Sequence, residues 1–462
     1  MLVYTTFIPG FNTVQQYAVN SIAPLAIYWL PLIPIVIFLI SNNYCRHAEG
    51  RPKGCRKLGL SHNKTNLHDE YDAKYSQGIP EQQTDENGHP SCRIKALFAY
   101  PIKSCAGVEL DVADVVSTGF AYDRQFCFAE YITPKAGGAG NEQSQQPHWI
   151  AKTLRDGDFC KMALIRPEVW VPDPTANDYS TELAEVKSQG VMVIHYPRVA
   201  GTGIHWYPII LGMKLGLVSK ELSFRVPLSP PEDKESTYPS TPVKIWKDFP
   251  SAHDYGQHLP ASLHRFLNPD GARGPLTLFR VNPTHHREIF RNAPRKEDLG
   301  FQPVTGFADA YPIHLVGIAS VRDVASKCKI DIPQLSIRRF RANIIIQGPG
   351  AFQEDHWKRV RICSSETGTG GVEAYTVCRT IRCRLPNVDP DTGIRHPSEP
   401  DRTLKRYRRI DRGDLTNAAL GMQVVPAVQE FRVRVGDSLA VLESGEHCYI
   451  KMLKPGEKVE GV

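Results

Sequence analysis

Four arginines, Arg379, Arg382, Arg384 and Arg395, crowd two thiols, Cys378 and Cys383, in the stretch VCRTIRCRLPNVDPDTGIRH. Neighbouring cations favour thiolate, the form of cysteine that binds a metal or attacks an electrophile. Four residues separate the two thiols and no second pair matches them, a spacing that disfavours structural zinc. Cys383 therefore reads as a buried spacer, as half of a disulfide with Cys378, or as one thiolate ligand of a redox metal whose other donors come from elsewhere. Asp389 and Asp391 in the turn that follows read first as turn residues and second as proton carriers.

Three other segments place a cation at a turn. YPIKSCAG offers Lys103 with the hydroxyl of Ser104, YDRQF offers Arg124 and FRANI offers Arg341. An ammonium, a hydroxyl and two planar guanidinium forks are the groups that grip a phosphate. Taken one at a time, each is a common solvated surface charge.

The background composition narrows the classes. A chain of 462 residues with 41% hydrophobic and 23% charged content is globular and long enough for two or three domains. Its 35 glycines and 36 prolines favour a turn-rich β fold over a helical bundle. The formal charge of +6 suits a local anion site and is too small to argue for nucleic acid. Eleven scattered cysteines, odd in number and without a C-x-x-C pair, argue against a secreted disulfide framework.

The elements that must position these groups begin after a long N-terminal lead. Residues 1–40 carry no charged side chain, and IAPLAIYWLPLIPIVIFLI, Ile22 to Ile40, is long enough to cross a bilayer at about 28 Å. Arg46, Arg51, Lys53, Arg56 and Lys57 follow it against the single acid Glu49, which by the positive-inside bias keeps the bulk of the chain cytosolic. The pattern predicts an anchor over 1–45 with a transmembrane helix at 22–40, then a polar, disordered tether over 46–92. RIKALFAYPI, VELDVADVV and QFCFAEYI alternate as antiparallel strands. QHLPASLHRFL and LVGIASVRDVASKC have helical spacing, and RRFRANIII and QEFRVRVGDSLAVL read as strands. The expected fold is mainly β with α. It has a β-rich N-terminal domain over 93–280, with surface insertions near 134–148 and 228–242, and a second barrel-like domain over 281–462.

YPIKSCAG, YDRQF, FADAYPIHLVG, FRANIII with EDHW, RCRLPNVDPDTG and EPDRTLKRYR, in that order, resemble the signature of the MOSC superfamily. Within it they are most similar to the mitochondrial amidoxime-reducing enzymes. The resemblance runs from Arg93 to Leu442. It implies a MOSC β-barrel preceded by a MOSC N-terminal domain, and a molybdenum cofactor whose metal takes one protein ligand, Cys383, here also the catalytic residue. Lys103, Ser104, Arg124, Asp309, Arg341, Asn343 and Arg382 match positions that hold the pterin and its phosphate. Ala308, Ala310, Tyr311 and Ile381 depart from the small hydroxyl residues common there.

The implied activity is reduction of N-hydroxylated compounds such as amidoximes, at the mitochondrial outer membrane. Electrons would come from cytochrome b5 and NADH-cytochrome b5 reductase, since the chain shows no dinucleotide fingerprint. A basic run, Arg402, Lys405, Arg406, Arg408, Arg409 and Arg412, reads as a docking face for an acidic haem protein or as a solvated face. Two other functions are weighed. One is a sulfur-transfer or cofactor-handling MOSC protein, which the lack of an aminotransferase-like desulfurase domain ahead of the barrel disfavours. The other is a membrane-tethered binding protein without catalysis.

Overall fold

The computed structural model describes residues 32, 33, 36, 50–61, 63–75, 92–133, 146–199, 201, 203, 206–231, 236–365 and 371–451. Two compact units are distinguished, residues 1–51 with 197–223, and residues 52–196 with 224–462. In the first, Tyr207–Lys214 forms a helix with Pro208 in its opening turn, where a missing N–H costs nothing. The second unit contains every residue of the sequence-predicted site.

The transmembrane expectation is corrected. No helix among the described residues is long and apolar enough to cross a membrane. Of the run 22–40, only Leu32, Ile33 and Val36 are described, as helical residues, and the rest lies outside the described residues. The mainly β part of the expectation agrees with the structure.

The first barrel of the larger unit is closed and five-stranded. Phe126–Ile132 pairs antiparallel with Leu276–Val281 and with His148–Ala151. Ser240–Lys244 runs parallel to His148–Ala151 and antiparallel to Ser251–Asp254, which returns to Leu276–Val281. Cys127, Ala129, Val243, Ala252, Phe279 and Phe307 fill it. Inward and outward residues alternate along such strands, so each contributes every second side chain to the core. The surface insertion read near 228–242 is corrected at its far end, because Ser240–Lys244 is a barrel strand and Leu228 and Tyr238 are buried. The insertion read near 134–148 lies mostly outside the described residues.

The second sheet uses Ile313–Gly317, Ile344–Gln347, Trp357–Cys363, Gly371–Arg382, Ala418–Pro426 and Ser438–Ser444. Cys92–Ala99 joins its two ends, pairing with Ile344–Gln347 on one edge and with Ser438–Ser444 on the other. This strand was expected in the N-terminal domain by its place in the chain, yet it closes the C-terminal barrel. Its apolar run reflects burial on both faces: Ala96, Phe98 and Tyr100 pack with the helix Ile318–Lys327, while Leu97 and Ala99 enter the cluster of Leu315, Ile344 and Val424. Val112–Val116 likewise pairs with Phe431–Arg434, so the domain boundary is not sequential.

The disordered tether over 46–92 is corrected where it is described. Cys55–Lys57 pairs with Arg166–Pro172, and Lys57 meets Glu168 at 2.6 Å. The buried carboxylate of Glu70 accepts from the Ser336 hydroxyl at 3.0 Å and the Ile337 N–H at 2.9 Å. A few well-placed polar contacts and the buried Leu67 and Tyr75 fix a segment whose composition alone reads as unfolded.

Candidate functional site

All eight sequence-predicted site residues line one cavity of about 160 Å³ in the larger unit. Lys103 and Ser104 come from the turn after Cys92–Ala99, and Arg124 from the turn before Phe126–Ile132. Arg341 and Asn343 follow the short helix Ile337–Phe340, and Arg382 and Cys383 end the strand Gly371–Arg382. Asp309 lies on the loop ahead of Ile313–Gly317.

Three of the anion-site residues sit in the left-handed region: Ser104 at φ 67°, Arg124 at φ 48° and Arg341 at φ 54°. Side-chain-bearing residues adopt it at a cost of order 1–3 kcal/mol, and such strain collects where a surrounding framework over-determines it. The framework is visible. Arg124 donates to Asp123 Oδ2 at 2.6 Å, to Asn343 Oδ1 at 3.1 Å and to the Arg341 carbonyl at 3.0 Å. The ring of Tyr100 lies under both guanidinium groups, at 4.8 Å from Arg124 and 4.3 Å from Arg341.

Asn343 is fully buried and satisfied. Its amide donates to the Phe98 carbonyl and Asp123 Oδ1, both at 3.0 Å, and its oxygen accepts from Arg124 and from the His314 N–H at 3.1 Å. It positions Arg124. Arg382 is likewise spent inward, donating to the carbonyls of Leu420 at 2.9 Å and Phe340 at 3.2 Å and to His314 Nε2 at 2.7 Å. Because a guanidinium only donates, Nε2 of His314 is the acceptor and the ring proton is on Nδ1. Burial, together with the charges of Arg382 and Arg124, holds this imidazole neutral, with its pKa well below the usual value.

Lys103 donates to the Phe307 carbonyl at 2.9 Å and pairs with Asp309 at 2.5 Å. Burial lowers the lysine pKa, partly offset by Asp309. Burial also opposes ionisation of the half-exposed Asp309, but the charges of Lys103, Arg155 and Arg124 outweigh it and keep the carboxyl below the ordinary range. Arg341 differs from the others. One of its terminal nitrogens is buried with no hydrogen-bond partner among the described residues. Burial brings its pKa down to about 10, so it stays charged at neutral pH. A buried orphan N–H on a cation is costly unless an anion completes it.

The two thiols separate cleanly. Cys378 is fully buried beside Ile289, Tyr311 and Val425, and burial pushes its thiol up to about 12. Cys383 is partly exposed and lines the cavity. Both are free, which removes the disulfide. A β-bulge between Arg379 and Ile381 breaks the strict alternation of the strand, which is how the consecutive residues Arg379 to Cys383 all reach the cavity. Opposite it, Gly421 at φ 77° is required, since a Cβ there would meet His314 Nε2 at 2.8 Å.

Asp389 and Asp391 do not line the cavity. Asp389 accepts from the N–H groups of Asp391 and Thr392 and pairs with Arg339 at 2.6 Å, and Asp391 pairs with Arg338. They build the turn. The basic run is also corrected in part: Arg408 is buried against Asp355 and the Ala419 carbonyl, Arg402 pairs with Glu399 and Asp331, and Lys405 pairs with Asp401. Arg406, Arg409 and Arg412 stay exposed. Sequence reasoning left out His314, Gln423 and Tyr449, which also line the cavity. His314 had a signal, a polar residue inside the apolar strand IHLVG; Tyr449 had none.

Among the described residues, no group of three or more His, Cys, Asp or Glu is placed to hold a metal ion. Cys383 is the one cysteine that lines the cavity among the described residues, so a metal held there would need its remaining donors from a bound group. The orphan N–H of Arg341 and the cations beside Cys383 fit such a group.

Two family models match the chain, the MOSC N-terminal beta barrel domain over residues 91–169 and the MOSC domain over residues 302–458. The chain belongs to the MOSC superfamily. The cavity-lining residues Lys103, Ser104 and Arg124 fall within the first match, and Asp309, Arg341, Asn343, Arg382 and Cys383 within the MOSC domain itself. Among its relatives is the mitochondrial amidoxime-reducing component 1 of Danio rerio, 32% identical over 198 residues, covering 42% of this chain and 53% of that protein. The Mus musculus protein of the same name is 39% identical over 186 residues, covering 40% and 49%. A molybdenum cofactor sulfurase of Oryza sativa subsp. japonica is 29% identical over 333 residues, covering 68% of this chain and 31% of that protein. The matched region thus spans about half the length of the amidoxime-reducing relatives.

Proposed function

We propose that this MOSC protein is a molybdenum-cofactor oxidoreductase that reduces N-hydroxylated compounds such as amidoximes to the deoxygenated nitrogen and water. The observation that carries the reading is the convergence of a free, accessible thiol, Cys383, and an incompletely satisfied cation, Arg341, on one cavity. Arg341, Arg124 and Lys103 bind the anionic part of the cofactor, Asn343 and Asp123 hold Arg124 in place, and the thiolate of Cys383 is the protein ligand. When bound, the cofactor supplies two-electron exchange at its metal. The chain's own residues bind, orient and keep water from the reacting end.

Cytochrome b5 and NADH-cytochrome b5 reductase are proposed as the electron source, with Arg406, Arg409 and Arg412 as the exposed cations that steer the acidic haem partner. A mitochondrial location follows the printed names of the relatives. The test is molybdenum content together with NADH oxidation on benzamidoxime. Turnover is expected with both relay proteins present; a molybdenum-loaded chain that turns over none of a panel of amidoximes and hydroxylamines rejects the reading.

The rice relative supports a second reading, in which Cys383 carries a persulfide during cofactor handling. Mass spectrometry decides it, since a persulfide adds one sulfur to the Cys383 peptide.

A further inference from the structure

Residues 446–450 form a strap that belongs to no strand, yet five of its backbone polar groups are held by side chains from elsewhere in the chain. Asp411 Oδ1 accepts from the Tyr449 N–H at 2.7 Å. Asn292 accepts from the Ile450 N–H at 2.9 Å and donates to the Cys448 carbonyl at 2.8 Å. Arg291 donates to the Ile450 carbonyl at 3.1 Å, and Arg379 to the His447 carbonyl at 3.1 Å. Asn292 takes a left-handed backbone, φ 55°, to do this. The approach is close enough that a Cβ on Gly413 would sit 1.7 Å from the Tyr449 carbonyl oxygen.

A strap fixed at this many points presents its one cavity-lining side chain, Tyr449, in a set position. The strand Gly371–Arg382 orders the cavity. Cys383 stands beside the cations, and Arg379, which anchors the strap, stands four residues back along the chain. Tyr449 packs against the buried cluster of Ile289, Tyr311, Val377, Cys378 and Val425 and lines the cavity together with Tyr311, whose hydroxyl is tied to the Arg291 carbonyl at 2.9 Å. The cavity thus has one end where Lys103, Arg124 and Arg341 stand with the thiol, and another where Tyr449 and Tyr311 stand with Arg379, whose charge is taken up by Asp411 and Glu446.

We propose that Tyr449 is a specificity-determining residue: the strap end takes the flat organic substituent of the N-hydroxylated substrate, against the ring of Tyr449, while the N–O group points to the Cys383 end. This rests on the reductase reading given above. Aromatic faces of this kind favour flat, apolar groups, and one side chain in a pocket wall changes selectivity by tenfold or more.

The experiment measures binding and turnover in parallel on the cofactor-loaded full chain, with benzamidoxime and with N-methylhydroxylamine as the small comparator. Tyr449→Ala is expected to weaken benzamidoxime binding in calorimetry, and to lower its kcat/KM, by about tenfold, with the small hydroxylamine changed less than twofold. Tyr449→Phe, which keeps the ring, is expected to retain benzamidoxime affinity. An unchanged benzamidoxime affinity in Tyr449→Ala, or equal losses for both compounds, overturns the assignment. Tyr449-dependent binding without turnover of either compound in the wild type counts against the reductase reading and supports the strap as the wall of the binding site.

Discussion

Arg124 donates to the backbone carbonyl of Arg341 at 3.0 Å, and both residues hold left-handed backbones over the same tyrosine ring. Two like charges are kept side by side at the cavity by Asp123, Asn343 and Tyr100, an arrangement that raises affinity for an anion at the expense of the unliganded protein.

Arg341→Met removes a charge-assisted hydrogen bond worth roughly 1.5–3 kcal/mol. Cofactor occupancy in the purified variant is expected to fall, read as molybdenum per chain. The thermal midpoint of the cofactor-free form is expected to hold or rise, because a buried orphan N–H has gone. Full occupancy in Arg341→Met, Arg124→Leu and Lys103→Met alike removes these residues from the site.

The two cysteines are expected to part on every measurement. Iodoacetamide should label Cys383 in the cofactor-free protein and leave Cys378 unlabelled, since the latter is buried with its thiol pushed up to about 12. Cys383→Ala should abolish turnover with little change in unfolding midpoint. Cys378→Ala should keep turnover per bound metal and lose on the order of 1 kcal/mol from a small cavity. Peptide mapping and urea titration check both.

His314 sets a pH dependence. Its folded-state pKa is depressed, so between its unfolded value of about 6.5 and the lower folded value the unfolded chain binds more protons, and stability rises with pH across that window. His258, His264, His286 and His447 are lowered by burial too and add to the same slope. Stability is expected to fall from pH 7 to pH 5, with a shallower fall in His314→Gln. Identical slopes in urea midpoint against pH would remove His314 from the account.

Within the basic run the structure separates two behaviours. Arg408→Ala leaves Asp355 buried and unpaired and is expected to cost about 3–5 kcal/mol. Arg409→Glu is expected to leave stability unchanged and to weaken the salt dependence of turnover with the proposed haem partner. Equal unfolding midpoints for Arg408→Ala and the wild type would show that the buried pair contributes nothing.

What the sequence carried was the set of side chains, and what it did not carry was the partnership between distant segments. Lys103, Arg124, Arg341 and Cys383 were legible because each stands at a strand end in a short motif, and all line one cavity. Asp389 was legible as a turn residue through its Asp-Pro-Asp-Thr-Gly context. The division of labour among the arginines was hidden: nothing in FRANI or RCRLP tells that Arg382 is spent on the interior while Arg341 keeps a free N–H. The tether was misread because polarity measures what a segment can bury, whereas Glu70 is held by what Ser336 and Ile337 offer it. The sheet partners of Cys92–Ala99 were not legible because local periodicity identifies a strand and says nothing of its neighbour.

That strand also sets an order of events on the ribosome. Cys92–Ala99 emerges early, yet its partner Ile344–Gln347 lies some 245 residues downstream, and Ser438–Ser444 comes later still. At about 5–20 residues per second, the first strand of the C-terminal barrel waits roughly 12–50 s with only the short strand Val108–Leu110 paired to it, while the five-stranded barrel completes behind it. Cys92–Ala99 is therefore the segment that a nascent-chain chaperone has most reason to shield.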